Sequence, residues 1–435
     1  MSHSWKELGL RVPDILLPKE GTDMEKWAVV ACDQYTSQPD YWKKVEDKVQ
    51  DAPSTFRLML PEYYLGSTDE EERIASIRKS MREYVENGTL RQMPKGCILV
   101  KRTCMGRSRS GLVIAVDLEA YDYSKGSSSL IRATEKTIVE RIPPRLRIRS
   151  DAPMELPHIL ILIDDPEKTV IEPLFNKAGK IVYDTDLMMD GGHITGTFIE
   201  EESCEDIREA MSGLLERAKT RYGEDRALLM AMGDGNHSLA TAKANWEQIR
   251  QKLTPEKREN HPARFALCEL ENIHDSGIVF EPIHRVLFGD GKADGIQMIQ
   301  ELVKILADQN GGASLGGKGA QAPEGGYSVP TISGGIERTI LISDPVSGLE
   351  VGALQAALDI LVQNTGLKID YIHGEDTVRS LSREQDRVGF LLPPMDKFRL
   401  FPAVASDGAL PRKTFSMGES NEKRYYIEAR SLVND

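Results

Sequence analysis

The chain contains little cysteine, and the spacing of its cysteines excludes two common scaffolds. Its five cysteines are scattered and include no C-x-x-C pair (Cys32, Cys97, Cys104, Cys204 and Cys268). Small disulfide frameworks use an even set of cysteines, and cysteine zinc sites use closely spaced pairs. The sequence therefore predicts neither a disulfide-rich domain nor a cysteine zinc site.

Long apolar runs and an excess of positive charge are also missing. No segment approaches the roughly 20 apolar residues that span a bilayer, and residues 1–18 hold no apolar run of the kind found in signal peptides. The formal net charge of −13 disfavours a general binder of nucleic acid or of acidic membranes. We therefore expect a cytoplasmic protein without nucleic-acid or membrane partners.

Several catalytic signatures are absent as well. The sequence has no G-x-x-x-x-G-K-S/T phosphate loop of the Walker type and no G-x-S-x-G nucleophile motif. Most of its histidines lack the close spacing that zinc ligands need (His158, His193, His261, His274 and His373). The commonest nucleotide-binding, hydrolase and zinc-enzyme signatures are thereby excluded.

The alternation of strand-like and helix-like segments, with several adjacent strand pairs, predicts a mixed α+β fold rather than a doubly wound parallel sheet. A chain of 435 residues is long for one domain. We expect an N-terminal α+β domain over residues 1–200, a region carrying the site over 201–308, and a C-terminal α+β region over 327–435. Residues 309–326 are rich in glycine and alanine, which indicates a flexible loop or interdomain connection.

The turn over residues 233–237 is the strongest candidate for a functional site. An apolar strand precedes it and a helix follows it, and two glycines allow the backbone to approach a ligand closely. The N-terminus of a helix binds phosphate through its unpaired amide groups and its dipole. We expect Asp234 to hold Mg²⁺ or orient a hydroxyl group and His237 to contact phosphate or shuttle a proton, with phosphate bound at Gly235, Asn236 and Ser238. The alternative is a purely structural turn with cap residues.

These residues carry a resemblance to the domain of unknown function 1015 family of prokaryotic proteins. Members of that family have D-G-H-H-R at this position and a later I-H-R element. This chain has D-G-N-H-S over residues 234–238, P-I-H-R over 282–285 and L-P-R-K-T-F over 410–415. The resemblance extends along most of the chain, and it implies no assigned activity.

A more distant resemblance links the turn to the phosphate-binding box of the ParB/sulfiredoxin-like fold, which includes nucleotide-dependent free-serine kinases. The resemblance implies a nucleotide co-substrate, ATP or ADP, with its phosphates at the helix N-terminus. Asn236 and Ser238 depart from the pattern, since they stand where the box has a histidine and an arginine. Asp33, at the end of the first strand, occupies the place of an acidic base in those kinases. Its alternative role is that of a turn former.

Another basic residue must supply the charge that an arginine would have provided at the turn. The basic segment 131–149 offers several arginines, and three of them alternate, so that on a strand they would share one face (Arg132, Arg145, Arg147 and Arg149). Arg285 is a further candidate, and the adjacent His284 is a candidate general base. The alternatives are a solvated strand face paired with acids and a structural histidine.

The leading hypothesis is phosphoryl transfer on a small polar metabolite, for example an amino acid such as serine, with a nucleotide and Mg²⁺. A phosphatase acting on a phosphorylated metabolite is the first alternative, and a non-catalytic regulator that binds a nucleotide or metabolite is the second. In each case the expected partner is a small phosphorylated ligand. A homodimer is compatible with the sequence.

Overall fold

The computed structural model describes residues 2–124, 126–135, 142–177, 179–291 and 293–433. Lys136 and Arg141 of the basic segment lie outside the described residues. The chain forms two compact units, the first from Met1–Val279, Lys397–Ala409 and Met417–Asp435 and the second from Phe280–Asp396 and Leu410–Ser416. The expected boundary at residue 200 falls inside the first unit, and residues 309–326 fall inside the second.

Helices and strands alternate along the described chain. The α-helices are α1 Met24–Trp27, α2 Pro39–Val49, α3 Glu70–Glu86, α4 Ile142–Arg149, α5 Glu205–Tyr222, α6 Asn236–Arg250, α7 Pro255–Glu259, α8 Gly295–Gln309, α9 Glu350–Thr365, α10 Glu375–Leu381 and α11 Leu400–Asp407. The strands up to residue 200 are β1 Leu10–Arg11, β2 Leu16–Pro18, β3 Val29–Val30, β4 Leu90–Gln92, β5 Gly96–Cys104, β6 Arg107–Asp117, β7 Tyr121–Asp122, β8 Ile131–Arg132, β9 Met154–Glu155, β10 Leu160–Ile163, β11 Lys180–Leu187 and β12 Gly192–Glu200. The later strands are β13 Met230–Asp234, β14 Phe265–Asn272, β15 Phe280–Phe288, β16 Gly312–Gly316, β17 Tyr327–Ser333, β18 Ile336–Ser343, β19 Lys368–His373, β20 Arg387–Phe390, β21 Phe415–Met417, β22 Tyr425–Tyr426 and β23 Arg430–Ser431. Within the described ranges, no helix is long and apolar enough to cross a membrane.

The first unit is built on a mixed sheet with strand order β11-β12-β5-β6-β14-β10-β13-β8-β7, and β1 adds to β6. The pairs from β11 to β14 are antiparallel, whereas β10 runs parallel to β14 and β8 runs parallel to β13. Mixed pairing of this kind, with helices packed on the sheet, confirms the predicted α+β class.

Helices cover both faces of this sheet because its central strands are apolar on both sides. In β5, Leu99 packs in one core and Ile98 in the other, as expected when successive side chains point to opposite faces. The core on one face receives α5 and α6, and the core on the other face receives α2 and α3. The fold thereby places the start of α6 at the end of strand β13.

The last segment of the chain returns to the first unit. Strand β22 pairs with β3 and β23 pairs with β9, both antiparallel. The side chains of Tyr425 and Tyr426 are buried in the same core as α2 and α3. Residues 417–433 are therefore an integral part of this unit, even though the second unit interrupts the first in sequence.

The second unit has its own antiparallel sheet, in which β16-β18-β17-β20-β15-β19 follow one another, and a core that includes α8 and α9. The prediction of a flexible loop over 309–326 is wrong for Gly312–Gly316, which pairs with β18 over its whole length. Strand pairing uses backbone groups, so small residues suffice at a sheet edge even when no side chain is available for the core.

Candidate active site at the Asp234 turn

The turn after β13 is one residue long. Gly235 adopts φ 82° and ψ 26°, a left-handed conformation that favours glycine, and α6 begins at the next residue. A Cβ atom at this position would lie 3.2 Å from the backbone of Ile159, which also favours glycine. The N-cap residue of the 15-residue helix is Gly235, which has no side chain with which to cap it. Its first-turn amide groups, which have no acceptors inside the helix, therefore face outward at the turn.

Asp234 forms an ion pair that the sequence alone does not predict. Its Oδ2 atom lies 3.0 Å from Nζ of Lys423, and its Oδ1 atom accepts a hydrogen bond of 2.9 Å from the Gly235 amide. Burial raises the pKa of Asp234, but Lys423 and the Gly235 amide together bring that pKa below its usual value. Asp234 is therefore ionised at neutral pH, and the buried ammonium group of Lys423 is held beside the N-terminus of α6.

A hydrogen-bonded chain of three side chains starts from the first turn of α6. The Ser238 hydroxyl lies 2.7 Å from Nε2 of His158, and Nδ1 of His158 lies 2.9 Å from the Tyr426 hydroxyl. The Tyr426 oxygen also accepts a hydrogen bond of 3.3 Å from the Cys32 amide. Burial lowers the pKa of His158, although the charges of Asp33 and Asp234 act in the opposite direction. His158 is therefore neutral at pH 7, and in one tautomer it accepts the proton of Ser238 and donates to Tyr426.

A cavity of about 140 Å³ lies beside this chain of hydrogen bonds. Ser238, His158 and Tyr426 contribute to its wall, and most of the remaining wall is apolar. Helix α4 contributes Arg145 and Arg149. The cavity wall therefore combines polar and charged side chains with a larger apolar part.

The prediction that the arginines after residue 144 lie on a strand is wrong. They belong to α4, because two prolines at residues 143 and 144 are tolerated in the first turn of a helix and set its backbone angles. Arg145 and Arg149, four residues apart, reach the cavity and pair with Glu62 and Glu155 respectively, whereas Arg147 pairs with two glutamates of α3 (Glu70 and Glu71). Each of these arginines is thus held by a carboxylate.

Two other predicted basic residues are bound by backbone carbonyl groups. Arg132 lies in β8 and donates to the carbonyl oxygens of Ser129, Arg226 and Ala227. Arg285, which is fully buried in the second unit, donates to Gln355 and to the carbonyl oxygens of residues 412 and 413. These hydrogen bonds give both guanidinium groups a structural role within their own units.

The predicted histidine and acid candidates occupy different surroundings. His284 lies in the second unit, where Nδ1 accepts a hydrogen bond of 3.1 Å from the Leu392 amide, and burial lowers its pKa. Asp33 follows β3 and accepts a hydrogen bond of 3.0 Å from the Gln34 side chain. Its charge reaches His158, as the pKa of that histidine shows. The structure therefore brings Asp33 and Asp234 near one imidazole.

The remaining turn residues lie in the first turn of α6. His237 is half-buried there, and its carbonyl oxygen accepts a hydrogen bond of 2.7 Å from the Thr241 hydroxyl. The buried Oδ1 atom of Asn236 has no hydrogen-bond partner within the described part of the chain. An unsatisfied acceptor at this place is consistent with a ligand that donates a hydrogen bond.

The predicted magnesium site has one carboxylate, that of Asp234. Among the described residues, no group of three or more histidine, cysteine, aspartate or glutamate side chains could hold a metal ion. Mg²⁺ requires six oxygen ligands in octahedral geometry, some of which are water or phosphate. Both oxygens of Asp234 already contact Lys423 or Gly235. In this structure the cation beside Asp234 is the ammonium group of Lys423.

Fold and site together define a mixed α+β protein with an uncapped helix terminus and a buried lysine at a strand-to-helix turn. The chain belongs to the DUF1015 family, whose model, described as "Protein of unknown function (DUF1015)", matches residues 16–392. The chain has no sequence match among curated proteins.

Three solved structures are similar in part. A conserved hypothetical protein from Pyrococcus furiosus is 11% identical with a TM-score of 0.38, covering 74% of this chain and 95% of its own. A mutant free serine kinase in complex with AMP is 10% identical with a TM-score of 0.41, covering 74% of this chain and 92% of its own. SbnI with a C-terminal truncation, from Staphylococcus aureus, is 9% identical with a TM-score of 0.34, covering 70% and 82%.

Proposed function

We propose that the first unit binds a phosphorylated small molecule at the start of α6 and transfers its phosphoryl group. One observation carries the proposal. The uncapped N-terminus of α6, the Lys423–Asp234 ion pair and the Ser238–His158 hydrogen bond all meet within five residues of the chain, 234–238. An anion site, a fixed positive charge and a proton acceptor are the parts that phosphoryl transfer needs.

Phosphate binding rests on the backbone and on Lys423. The first-turn amides of α6 point toward the ligand, and the helix dipole favours negative charge at this end. Lys423 then takes the place of the arginine that the phosphate box has where this chain has Ser238. Asp234 acts by orienting that ammonium group, because its carboxylate holds Nζ at 3.0 Å. In this way residues 234–238 would bind phosphate as the phosphate-binding box of the ParB/sulfiredoxin-like fold does.

Proton transfer rests on His158. A neutral imidazole whose pKa is lowered by burial is ready to accept a proton at pH 7. In transfer from a nucleotide such as ATP, the acceptor hydroxyl of the metabolite attacks phosphorus, the bond from phosphorus to the leaving oxygen breaks, and the hydroxyl proton passes to Nε2. Asp33 favours the charged imidazole, because its charge raises the pKa of His158. His237, in the same turn, contacts the bound phosphate.

A second candidate function is a phosphatase that works through Ser238. The specific observation is that the Ser238 hydroxyl, the His158 imidazole and the Tyr426 hydroxyl stand as nucleophile, base and orienting group, at 2.7 and 2.9 Å. Ser238 Oγ would attack phosphorus and give its proton to Nε2, and the leaving oxygen would take that proton. Water would then hydrolyse the phosphoserine and release phosphate.

Binding and turnover measurements on the whole chain test the proposal. Inorganic phosphate, ADP and ATP should raise the melting temperature in a saturable way through linkage. Lys423→Met should abolish that rise, whereas Lys48→Gln, which removes a cation of an ion pair with Glu25, should leave it intact. Equal phosphate-induced shifts in wild type and Lys423→Met would overturn the proposed site.

Direction and catalysis need separate readouts. Turnover of ATP with serine or another hydroxyl acceptor would identify a kinase. Release of inorganic phosphate from phosphoserine, with labelled phosphate trapped on Ser238 by acid quenching, would identify the phosphatase. Saturable binding without turnover of either kind would contradict catalysis and leave a metabolite-binding regulator.

A further inference from the structure

The cavity beside Ser238 has walls that do not suit a wholly polar ligand. Eleven of its twenty lining residues have aliphatic or thioether side chains, and they come from separate parts of the first unit, for example Leu60, Met81, Ile148, Met154 and Leu156. Most of these named side chains are buried, so apolar atoms form a large part of the wall. Ser238, His158 and Tyr426, which are hydrogen-bonded to one another, form a polar part of the same wall.

The charged residues of the wall are already matched with one another. Arg145 pairs with Glu62, and Arg149 pairs with Glu155. A zwitterionic amino acid would have to displace one of these ion pairs to gain a counter-charge. An apolar group can enter without breaking any of them, and its transfer from water is favourable.

The size of the cavity limits what can enter. A cavity of about 140 Å³ is close to the engineered cavity of roughly 150 Å³ that stays dry and binds benzene. A phenyl ring or a branched chain of about six carbon atoms therefore fits by volume.

We infer that the ligand is amphipathic, a phosphate monoester or its parent alcohol that carries a small apolar group. Its oxygen-bearing end lies at Ser238 and the N-terminus of α6, and its apolar group fills the cavity between α4 and α6. This inference rests on the proposed function, and it replaces the small polar metabolite with a substrate that is polar only at its reacting end.

Ligands of graded size test the inference on the unmodified chain. The half-saturating concentrations of inorganic phosphate, methyl phosphate, phosphoserine and phenyl phosphate are measured by thermal shift and by isothermal titration. We expect phenyl phosphate to bind at least about tenfold more tightly than methyl phosphate or phosphoserine, because it buries about five more carbon atoms. Equal affinities along the series would overturn the inference while leaving the phosphate site standing, and absence of binding by every member would overturn the proposed function itself.

A cavity-filling substitution locates the apolar subsite. Ala152, which lines the cavity just after α4, is changed to phenylalanine, and Ala218, which lines a separate cavity of about 160 Å³ beside α5, is changed likewise as a matched control. Ala152→Phe should remove the preference for phenyl phosphate and leave binding of inorganic phosphate unchanged, whereas Ala218→Phe should change neither. Should Ala152→Phe fail to fold, Ala152→Leu fills part of the same space. A preference that survives in the folded cavity-filled variant would refute the assignment of the apolar group to this cavity.

Discussion

The ion pair between Lys423 and Asp234 leads to the most specific prediction. Replacing Lys423 by methionine removes the ammonium group and keeps a long apolar side chain. At 3.0 Å and an effective dielectric constant of about 20, two unit charges attract by about 5.5 kcal/mol before desolvation is counted. The carboxylate is 28% exposed and Lys423 is 8% exposed, so desolvation and solvent screening remove more than half of that. We expect a coupling free energy of about 2 kcal/mol.

The coupling has a definite dependence on pH. In the wild type the pKa of Asp234 is lowered, so its contribution to stability is present above the usual value of 3.8 and is lost as pH falls through the folded-state pKa. Without Lys423, the pKa of Asp234 should be higher than in the wild type, because the largest effect that lowers it is gone. The variant should therefore be most destabilised at neutral pH, and its deficit relative to the wild type should shrink as the solution is acidified.

A double-mutant cycle measures this coupling. The wild type, Lys423→Met, Asp234→Asn and the double variant are unfolded with urea at pH 7 and at pH 4. All four tryptophans (Trp5, Trp27, Trp42 and Trp246) belong to the first unit, so tryptophan fluorescence reports on that unit specifically. A coupling below about 0.5 kcal/mol at pH 7, or one that grows on acidification, would refute the reasoning.

The remaining predictions concern the turn, the proton relay and the second sheet. Gly235→Ala should lower the free energy of unfolding by about 1–2 kcal/mol because φ is 82°, while the helical control Gly213→Ala, with free space and no positive φ, should raise it by up to about 1 kcal/mol. If the protein is the phosphatase, Ser238→Ala should keep phosphate binding but slow phosphate release by at least about 100-fold; unchanged release would exclude Ser238 as the nucleophile. The acidic limb of the pH–rate profile should lie below pH 6.5, since the pKa of His158 is lowered from that value, and a limb above it would exclude this base. Amides of Gly312–Gly316 that pair with β18 should be protected from hydrogen exchange, and exchange at the rate of a free loop would contradict the edge strand.

The location of the turn could be predicted from sequence because its determinants are local. An apolar strand, a glycine with a left-handed backbone and a helix start all fall between β13 and α6. The α+β class follows from similar local periodicities. These signals involve residues that are close together in the sequence, so they can be recognised in a single sequence.

The partners of the turn could not be predicted, because they come from distant parts of the chain. His158 precedes Ser238 by 80 residues, and Tyr426 follows His158 by 268. Nothing in the residues around Lys423 marks it as the cation beside Asp234. Only the pairing of β22 with β3 and of β10 with β13 brings these side chains together.

The error over α4 has a different origin. Alternating arginines after two prolines match a strand as well as a helix over so short a stretch, and the local pattern does not decide between them. Tertiary contacts favour the helix, because α4 packs against α6 and its arginines form ion pairs with glutamates of other elements. Similarly, the glycine-rich composition of Gly312–Gly316 does not predict a strand, because this strand forms through backbone hydrogen bonds to β18 and not through a side-chain pattern.

The return of residues 417–433 to the first unit has a consequence for biosynthesis. Domains generally fold as they leave the ribosome, in order from the N-terminus. Here the Asp234 turn is made long before Lys423 and Tyr426, since the residues of the second unit are translated between them. A nascent chain that has completed α6 therefore holds the helix terminus but neither the lysine nor the tyrosine beside it. The side chains around the turn are therefore assembled only after the second unit has been translated.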